Sequence, residues 1–213
     1  MTLFAFTVAL EQTGFHLADF RDIYDFGCGC GRVMRWLATK SKGARLHGSD
    51  IDEPAIDWLR ENLPQVDARV NQGLPPLSFA SGAFDLVLGY SVFSHLDEHY
   101  QDAWLAELHR VTRPGGVLLL TVHGKYNWDY SKAHVMSNLP NIAVLDSTLT
   151  DRNFLYWTGD GWEQHFPNYY HTAWHLPQYI REHWSYWFEV VDIVDHGARP
   201  TRSKAKVKPA EAV

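Results

Sequence analysis

The chain has few cysteines and no long hydrophobic run. Only Cys28 and Cys30 occur among its 213 residues, which excludes a disulfide framework and indicates an intracellular protein. No apolar run approaches the roughly 20 residues of a membrane span. The apolar start, MTLFAFTVALEQ, lacks the basic segment and the small-residue cleavage site of a signal peptide. We therefore expect a soluble, cytoplasmic protein without a membrane partner.

Positive charge is scarce outside the last residues of the chain. The net charge is −6, yet residues 199–213 contain five basic residues and one acidic residue. The rest of the chain therefore carries fourteen basic against twenty-four acidic residues. Such an acidic body is a poor surface for a phosphate backbone, so we expect no nucleic-acid partner. The basic, proline-containing tail is predicted to be disordered.

Strand and helix patterns alternate from Ile23 to Val122. Continuous apolar stretches bounded by turns predict buried strands, and amphipathic stretches between them predict helices. The predicted strands are DIYDF, ARLHGSD, VDARV, FDLVLGY and GGVLLLTV, and the predicted helices are GRVMRWLATKS, DEPAIDWLRENL and DEHYQDAWLAELHRVT. This alternation predicts an α/β fold, a Rossmann-like, doubly wound, mostly parallel sheet with helices on both faces.

The regularity weakens after His123. There the segments NFLYWTG and YYHTAWH are predicted to pair as strands, LPQYIREHWSYW to form a helix, and FEVVDIV to form a sixth strand. We expect a single domain over residues 1–198. Its cofactor half covers about 20–124, its aromatic insert and substrate half covers about 125–198, and the tail covers 199–213.

Three glycines and two cysteines alternate in DFGCGCGR, between the first strand and the first helix. Glycines in that position permit a tight turn and let a ligand approach backbone amides. Their G-x-G-x-G spacing is neither the G-x-G-x-x-G of nicotinamide sites nor the Gly-Lys-Ser/Thr ending of a P-loop. Two cysteines supply only half of a tetrahedral zinc site, so we predict no metal there and interpret both as small buried residues that fill the loop.

Asp50 ends the second predicted strand, 19 residues after Gly31. In nucleotide-binding doubly wound folds a carboxylate at this point accepts hydrogen bonds from ribose hydroxyls. The alternative role for such a residue is to cap the following helix, and Asp52 suits that role better.

Four segments in this order, IYDFGCGCGR, LHGSDID, VNQGLPPLSFASGAFDLVLGYSVFSHL and ELHRVTRPGGVLLLTVHG, resemble the motifs of class I S-adenosylmethionine-dependent methyltransferases. The similarity is to the small-molecule branch with a methyltransferase domain of the type-11/type-25 kind. It implies S-adenosylmethionine as the cofactor and transfer of a methyl group to an O, N or C nucleophile of a small molecule.

The resemblance also implies roles for particular residues. Asp25 and the Gly27–Gly31 loop would lie against the methionine portion, and Asp50 would bind the ribose, with Ile51 on the adenine. RPGG would be a structural turn. The implied cofactor-binding residues are Asp25, Gly27, Cys28, Gly29, Gly31, Asp50, Ile51, Asn71, Gln72, Gly73, Leu74, Tyr90 and Ser91.

Methyl transfer from a sulfonium requires alignment, exclusion of water and, for some acceptors, removal of a proton. Neutral histidine is the natural base near pH 7. The candidates are His95 and His123, which follow the fourth and fifth predicted strands. His95 has an equally strong alternative role in orienting its loop. The candidate substrate-pocket residues are Tyr126, Tyr156, Trp157 and His171.

Histidines of the aromatic insert do not predict a metal site. His171 and His175 are four residues apart, but on a strand that spacing separates them by about 13 Å. We therefore expect them to pack within an aromatic lid.

The chain departs from the family pattern at two points. Only about 22 residues precede the first strand, where the family often has helices that cap the cofactor. The last residues, DHGARPTRSKAKVKPAEAV, lack the alternation of the family's antiparallel seventh strand, which is therefore expected to be missing. Two alternatives to an active methyltransferase stay open: a non-catalytic or degenerate S-adenosylmethionine-binding module, and a nicotinamide-dependent oxidoreductase, which the glycine spacing opposes.

Overall fold

A computed structural model of the chain describes residues 2–162, 166–194 and 206–207. The strands are β1 Asp22–Phe26, β2 Arg45–Asp50, β3 Val66–Val70, β4 Phe84–Gly89, β5 Thr112–Leu120, β6 Phe154–Trp157, β7 Thr172–His175, β8 Phe188–Glu189 and β9 Lys206–Val207. The helices are α1 Thr2–Gln12, α2 Met34–Lys40, α3 Glu53–Asn62, α4 Glu98–Val111, α5 Lys125–His134, α6 Ile142–Arg152 and α7 Pro177–His183.

Seven strands form one sheet in the order β3-β2-β1-β4-β5-β9-β8. Strands β1 to β5 run parallel to their neighbours, which confirms the predicted doubly wound fold. The strand order reverses between β1 and β4. In such sheets ligands bind at the carboxyl ends of the strands beside that reversal.

Side chains alternate between two cores, one on each face of the sheet. Ile23 and Leu86 face a core that α1, α2 and α3 cover. Tyr24 and Val87 face the opposite core, which α4 and α7 cover. Both faces are buried, which is why the sequences of these strands are continuously apolar.

Aspartates begin two of the predicted helices. The carboxylate of Asp52 accepts a hydrogen bond from the Ala55 amide at 3.1 Å, and that of Asp97 accepts one from the Tyr100 amide at 2.8 Å. Both bonds satisfy a backbone donor that the helix itself leaves unpaired. Asp52 therefore has the capping role, which leaves Asp50 available to a ligand.

The RPGG segment lies within β5, where the register against β4 shifts between Phe84 and Leu86. Arg113 bonds Asp22 at 2.6 Å and the Gly82 carbonyl at 3.0 Å. These contacts tie the amino ends of β1, β4 and β5 together, at the edge opposite their carboxyl ends. The geometry fits the structural role implied for this segment.

The insert between β5 and α7 has a core of its own. The predicted pairing of NFLYWTG with YYHTAWH is confirmed, because β6 and β7 form an antiparallel pair outside the main sheet. Helices α5 and α6, which the sequence did not predict, pack against this pair. The buried residues of this core are Trp128, Met136, Leu149, Leu155 and Trp174.

The last strands differ from the prediction. The sixth strand of the main sheet, β8, covers two residues instead of the seven of FEVVDIV. Strand β9 pairs antiparallel with both β5 and β8. The expectation of a missing seventh strand is therefore wrong, since a two-residue strand holds that position. The remainder of the predicted disordered tail, 199–205 and 208–213, lies outside the described residues.

The amino-terminal segment forms a helix, α1, and buries Phe6 and Leu10 against the sheet. The Phe6 ring meets the Tyr90 ring edge to face at 6.3 Å. The short segment before β1 thus reaches the carboxyl end of β4. Over the part of the chain that the structure describes, no helix combines the length and apolarity needed to cross a membrane.

Candidate functional site

The sequence-predicted cofactor residues meet at the carboxyl ends of the central strands. The glycine loop follows β1, Asp50 ends β2, Asn71 follows β3, and Tyr90 and Ser91 follow β4. Since the parallel strands end at one edge, these residues border a single surface.

The backbone of the glycine loop adopts a conformation that would be strained for residues with a side chain. Gly27, Gly29 and Gly31 all have positive φ, at 73°, 51° and 84°. A Cβ on Gly27 would lie 2.3 Å from Val92, and one on Gly31 would lie 2.5 Å from Leu59. Gly29 has no such neighbour within 4 Å. The loop therefore needs glycine for backbone conformation at all three positions and for space at two of them.

Asp50 is tied to the glycine loop. One carboxylate oxygen accepts a hydrogen bond from the Gly29 amide at 2.7 Å, and the other accepts one from the Asp52 amide at 3.0 Å. Two backbone donors fix the orientation of the carboxylate and leave lone pairs for a further partner. Ribose hydroxyls are donors of the kind that such an oriented carboxylate accepts.

Asp25 is a buried acid without a hydrogen-bond partner. Its side chain is 1% exposed, and neither carboxyl oxygen has a partner within the described ranges. Burial first, and the nearby negative charge of Asp50 second, raise the pKa of Asp25 to about 8. Buried carboxyl groups are normally hydrogen-bonded, so these oxygens indicate a place for a donor from outside the chain.

The two cysteines have different surroundings. Cys28 is buried against β2, where a Cβ on Gly48 would come within 2.9 Å of its sulfur, and burial raises the pKa of its thiol. Cys30 is exposed. The interpretation of both cysteines as buried filling therefore holds for Cys28 and is wrong for Cys30. No group of three metal-ligating residues lies together among the residues described.

A chain of hydrogen bonds links the ends of β1, β2 and β3. The Tyr24 hydroxyl lies 2.7 Å from the Ser49 hydroxyl, which donates to the side-chain oxygen of Asn71 at 2.6 Å. The Asn71 amide nitrogen in turn donates to the Gln72 carbonyl at 2.7 Å. Asn71 is thereby held beside Asp50, whose carbonyl accepts from the Asn71 backbone at 2.9 Å.

Three large apolar residues at this edge are incompletely buried. Ile51, Leu74 and Tyr90 are each 37% exposed. Each was assigned to the cofactor site from the sequence. Apolar surface that flanks polar groups in this way is typical of a small-molecule site.

Ser91 has a left-handed backbone at the end of β4, with φ of 62°. Its amide donates to the Thr121 hydroxyl at 2.7 Å, which holds the turn. Strained backbone in a non-glycine residue is concentrated at functional sites. The turn brings the Ser91 hydroxyl within 3.4 Å of Nε2 of His95.

The two candidate bases lie together. The rings of His95 and His123 are 5.6 Å apart, edge to face. Nδ1 of His95 lies 3.1 Å from the His171 carbonyl, so Nδ1 carries the proton and Nε2 keeps its lone pair. Burial, followed by repulsion from His123, lowers the pKa of His95 to about 4. Burial also lowers the pKa of His123. Both side chains are therefore neutral at pH 7 and able to accept a proton.

The four candidate pocket residues separate into two groups. Tyr156 and His171 meet edge to face at 5.7 Å, and the backbone of His171 bonds that of His95. Trp157 lies on the opposite face of the β6–β7 pair and packs on the separate core with Trp174. Tyr126, at the start of α5, is 60% exposed. The structure thus brings Tyr156 and His171 to His95 and places Trp157 elsewhere.

Further residues at this edge were missed from the sequence. Asp160 bonds Nδ1 of His171 and the Thr172 hydroxyl, both at 2.8 Å. Tyr170 stacks on the His95 ring with centroids 4.4 Å apart. Asp160 comes close to His171 only because of the way the loop between β6 and β7 folds. The sequence indicates this contact by nothing more than two polar residues that flank an aromatic stretch.

Comparisons with known proteins agree with this geometry. Residues 23–116 match the family described as a methyltransferase domain. A probable S-adenosylmethionine-dependent methyltransferase of Mycolicibacterium smegmatis is 33% identical over 106 residues, which are 50% of this chain and 39% of that protein. A ribosomal protein L11 methyltransferase of Burkholderia mallei is 37% identical over 79 residues, covering 37% and 25%.

Among solved structures, the PH0226 protein of Pyrococcus horikoshii aligns over 96% of this chain and 90% of its own, with a TM-score of 0.64 and 16% identity. That similarity supports the fold alone. The chain spans less than half the length of the two curated relatives. The glycine loop, the sheet order and these matches together make residues 23–116 similar to the methyltransferase domain of S-adenosylmethionine-dependent methyltransferases.

Proposed function

We propose that this chain transfers a methyl group from S-adenosylmethionine to an O, N or C nucleophile of a small molecule. The observation that carries the proposal is the unpaired, buried carboxyl of Asp25 at the end of β1. It lies in the same site as the oriented carboxylate of Asp50, which Gly29 and Asp52 hold. Two separate acids, one buried and one at the surface, suit a ligand with one ammonium group and two ribose hydroxyls.

The residues present fit that ligand. Asp25 would accept hydrogen bonds from the ammonium, and the pKa of Asp25 would fall when the positive charge arrives. Asp50 would hold the ribose hydroxyls. Ile51 and Leu74 would pack on the adenine, and Tyr90 and Ser91 would lie beside the methionine carbons and the sulfonium. The cofactor supplies an activated methyl group on a positively charged sulfur.

On the acceptor side, His95 and His123 would receive the proton that an oxygen or nitrogen nucleophile releases. Their neutral state at pH 7 and the lone pair on Nε2 of His95 permit this role. The pKa of about 4 makes His95 a weak base, which suits an acceptor whose own proton is acidic. Tyr156 and His171 would form part of the wall that positions the acceptor and excludes water. His95 and His171 are 5% and 3% exposed, and groups buried to this extent favour a small acceptor over a folded protein.

Calorimetric titration tests the cofactor assignment. We expect S-adenosylhomocysteine to bind the wild-type chain and NAD not to bind. Asp50→Ala should weaken binding by about tenfold or more, because hydrogen bonds to a charged group contribute about 1.5–3 kcal/mol. Asp52→Ala is the matched control, since that neighbouring carboxylate caps α3. Absence of S-adenosylhomocysteine binding to the wild type would overturn the proposal, and binding of NAD instead would favour an oxidoreductase.

A second assay tests the acceptor class. Labelled S-adenosylmethionine would be incubated with a panel of small hydroxyl, amine and carbon acids, and separately with protein fractions. We expect label in the small-molecule panel. Because one relative is named for a ribosomal protein, label confined to protein would refute the small-molecule part of the proposal. Cofactor binding without any transfer would favour the non-catalytic module.

A further inference from the structure

We propose that Tyr169 and Tyr170, two consecutive residues of the loop between β6 and β7, are cofactor-binding residues, with Tyr169 against the nucleoside half and Tyr170 beside the reacting end. This inference rests on the proposed function. It adds a part of the aromatic insert to a site that otherwise comes from the ends of the main-sheet strands.

Tyr169 borders Gly73, the neighbour of Leu74, which we propose to pack on the adenine. A Cβ on Gly73 would lie 2.3 Å from the Tyr169 hydroxyl and 2.6 Å from the ring carbon that carries it. The Trp104 indole donates to the Gly73 carbonyl at 3.0 Å, so the backbone at Gly73 is fixed where the ring touches it. Burial, Tyr100 and the negative charge of Asp50 raise the pKa of Tyr169. The Tyr169 hydroxyl therefore interacts electrostatically with Asp50, the carboxylate proposed to bind the ribose.

Tyr170 lies at the other end of the same edge. Its ring stacks on His95 at 4.4 Å, with only 19° between the planes. His95 in turn reaches toward Ser91, in the turn where the methionine carbons and sulfonium are expected. Phe166 also stacks on the Tyr170 ring, at 4.8 Å, so the ring faces are covered and the hydroxyl, which can donate and accept hydrogen bonds, is the group of Tyr170 that would meet a ligand at the reacting end.

The tyrosine pair, Tyr169 and Tyr170, is held in place from several sides. The Tyr156 hydroxyl donates to the Tyr169 carbonyl at 2.8 Å, and the Tyr169 ring stacks on Tyr100 at 4.3 Å. One residue further on, the His171 amide donates to the His95 carbonyl at 3.1 Å. These contacts join the pair to β6, to α4 and to the turn after β4. A positioned pair loses little conformational freedom when a ligand binds.

Binding measurements with two probes test the inference. S-adenosylhomocysteine contains the nucleoside, the sulfur and the amino-acid portion, and adenosine contains the nucleoside alone. We expect Tyr169→Ala to weaken binding of both probes by about fivefold or more, the range for removing an aromatic ring from a nucleobase. Tyr170→Ala should weaken S-adenosylhomocysteine binding by a larger factor than adenosine binding.

Two further variants control for unfolding and for loss of the hydroxyl. Tyr169→Phe keeps the ring and should stay within about threefold of the wild type. Tyr186→Ala removes a tyrosine that is 78% exposed beside Trp187, which contacts His109 near the carboxyl end of α4. This control should bind both probes like the wild type. Circular dichroism and melting curves identify any variant that fails to fold.

Each outcome bears on one proposal. If the wild type binds S-adenosylhomocysteine and both alanine variants bind it equally well, the tyrosine pair has no part in the site and this inference is overturned. If Tyr169→Phe is as weak as Tyr169→Ala, the hydroxyl and not the ring carries the contact, which overturns the stacking argument. If the wild type binds neither probe, the proposed function itself fails.

Discussion

At the scale of single residues, Asp25 is held in a state that opposes folding. Its pKa is raised to about 8, from an ordinary value near 3.8. Between those two pH values the folded chain must take up a proton that the unfolded chain does not hold, so stability falls as pH rises through this range and levels off above about 8. A carboxyl group that lowers the stability of the folded chain in this way is expected to have a function, such as ligand binding.

We therefore predict opposite effects of Asp25→Asn on stability and on binding. The variant removes the proton uptake, so its free energy of unfolding at pH 7 should exceed that of the wild type by about 1–3 kcal/mol. The gain should shrink as pH falls and should vanish below the ordinary pKa of 3.8, where the wild-type carboxyl is protonated in both states. S-adenosylhomocysteine affinity should fall at least tenfold, because the ammonium loses its charged acceptor. Urea unfolding and calorimetry measure the two effects, and a variant that binds normally would contradict the ammonium role.

His95 leads to a second residue-scale prediction. Its pKa is lowered to about 4, so the folded chain keeps it neutral while the unfolded chain protonates it below about 6.5. It therefore contributes a loss of stability as pH falls from about 6.5 to 4. Histidine-selective NMR should show at least two rings that stay neutral through pH 5, because burial lowers the pKa of His175 to about 3 as well, and His95→Gln identifies the resonance of His95. Titration of that ring near 6.5 would show that the packing by Tyr170 and the insert does not desolvate it.

Residues of the cofactor edge were predictable from the sequence because they follow strand ends in order. The sequence assigned the helix cap to Asp52 and not to Asp50, and the structure gives Asp52 that contact. The bond between Asp160 and His171 and the contact of Tyr169 with Gly73 could not be foreseen. Both join segments that approach only after the insert has folded, and no local pattern encodes them.

At the scale of elements, we predict that alanine reduces the free energy of unfolding by different amounts at two positions of the glycine loop. Gly31 has φ of 84°, and a Cβ added there would lie 2.5 Å from Leu59, whereas Gly29 has φ of 51° and open space. Gly31→Ala should therefore reduce the free energy of unfolding by about 2–4 kcal/mol, from backbone strain and from displacement of α3. Gly29→Ala should cost about 1 kcal/mol, from backbone strain alone.

Urea unfolding of the two variants provides the comparison, with Gly43→Ala as a third case of positive φ in open space. If Gly31→Ala and Gly29→Ala reduced the free energy of unfolding equally, α3 would accommodate the added Cβ at Gly31 without loss of stability. Gly29→Ala should still weaken S-adenosylhomocysteine binding, because the Gly29 amide orients Asp50.

Prediction of elements succeeded where apolar periodicity was strong and failed where it was weak. The first five strands and the helices α2, α3 and α4 are found near their predicted bounds. Helices α5 and α6 bury only Trp128 and Leu149 between them, so their sequences carry little periodicity. The strand β9 was missed because two residues that pair through their backbone leave no alternation to detect.

At the scale of the whole molecule, β9 closes the sheet. It is the shared partner of β5 and β8, and without it β5 would present an unpaired edge. Removal of 199–213 should lower the melting temperature, whereas a chain that ends at Val207 should melt like the wild type. S-adenosylhomocysteine affinity should be unchanged in both, since β9 pairs with Val117, away from the carboxyl ends of β1 and β4. Equal melting of the two truncated chains would show that this pairing does not contribute.

The separate core of the insert has a consequence for protein engineering. Trp128, Leu155 and Trp174 pack with one another in a separate core, whereas Phe154 and Ala173 on the other face of β6 and β7 pack in a main-sheet core. The insert is therefore suited to exchange only if the replacement keeps apolar residues on that second face. A chimera that carries the insert of another methyltransferase domain, joined within the turns after β5 and before α7, should keep the main sheet and the part of the cofactor site at its strand ends, and should lose the contacts proposed for Tyr169 and Tyr170. Its acceptor preference should follow the transplanted segment, which would make this scaffold a host for new transfer specificities.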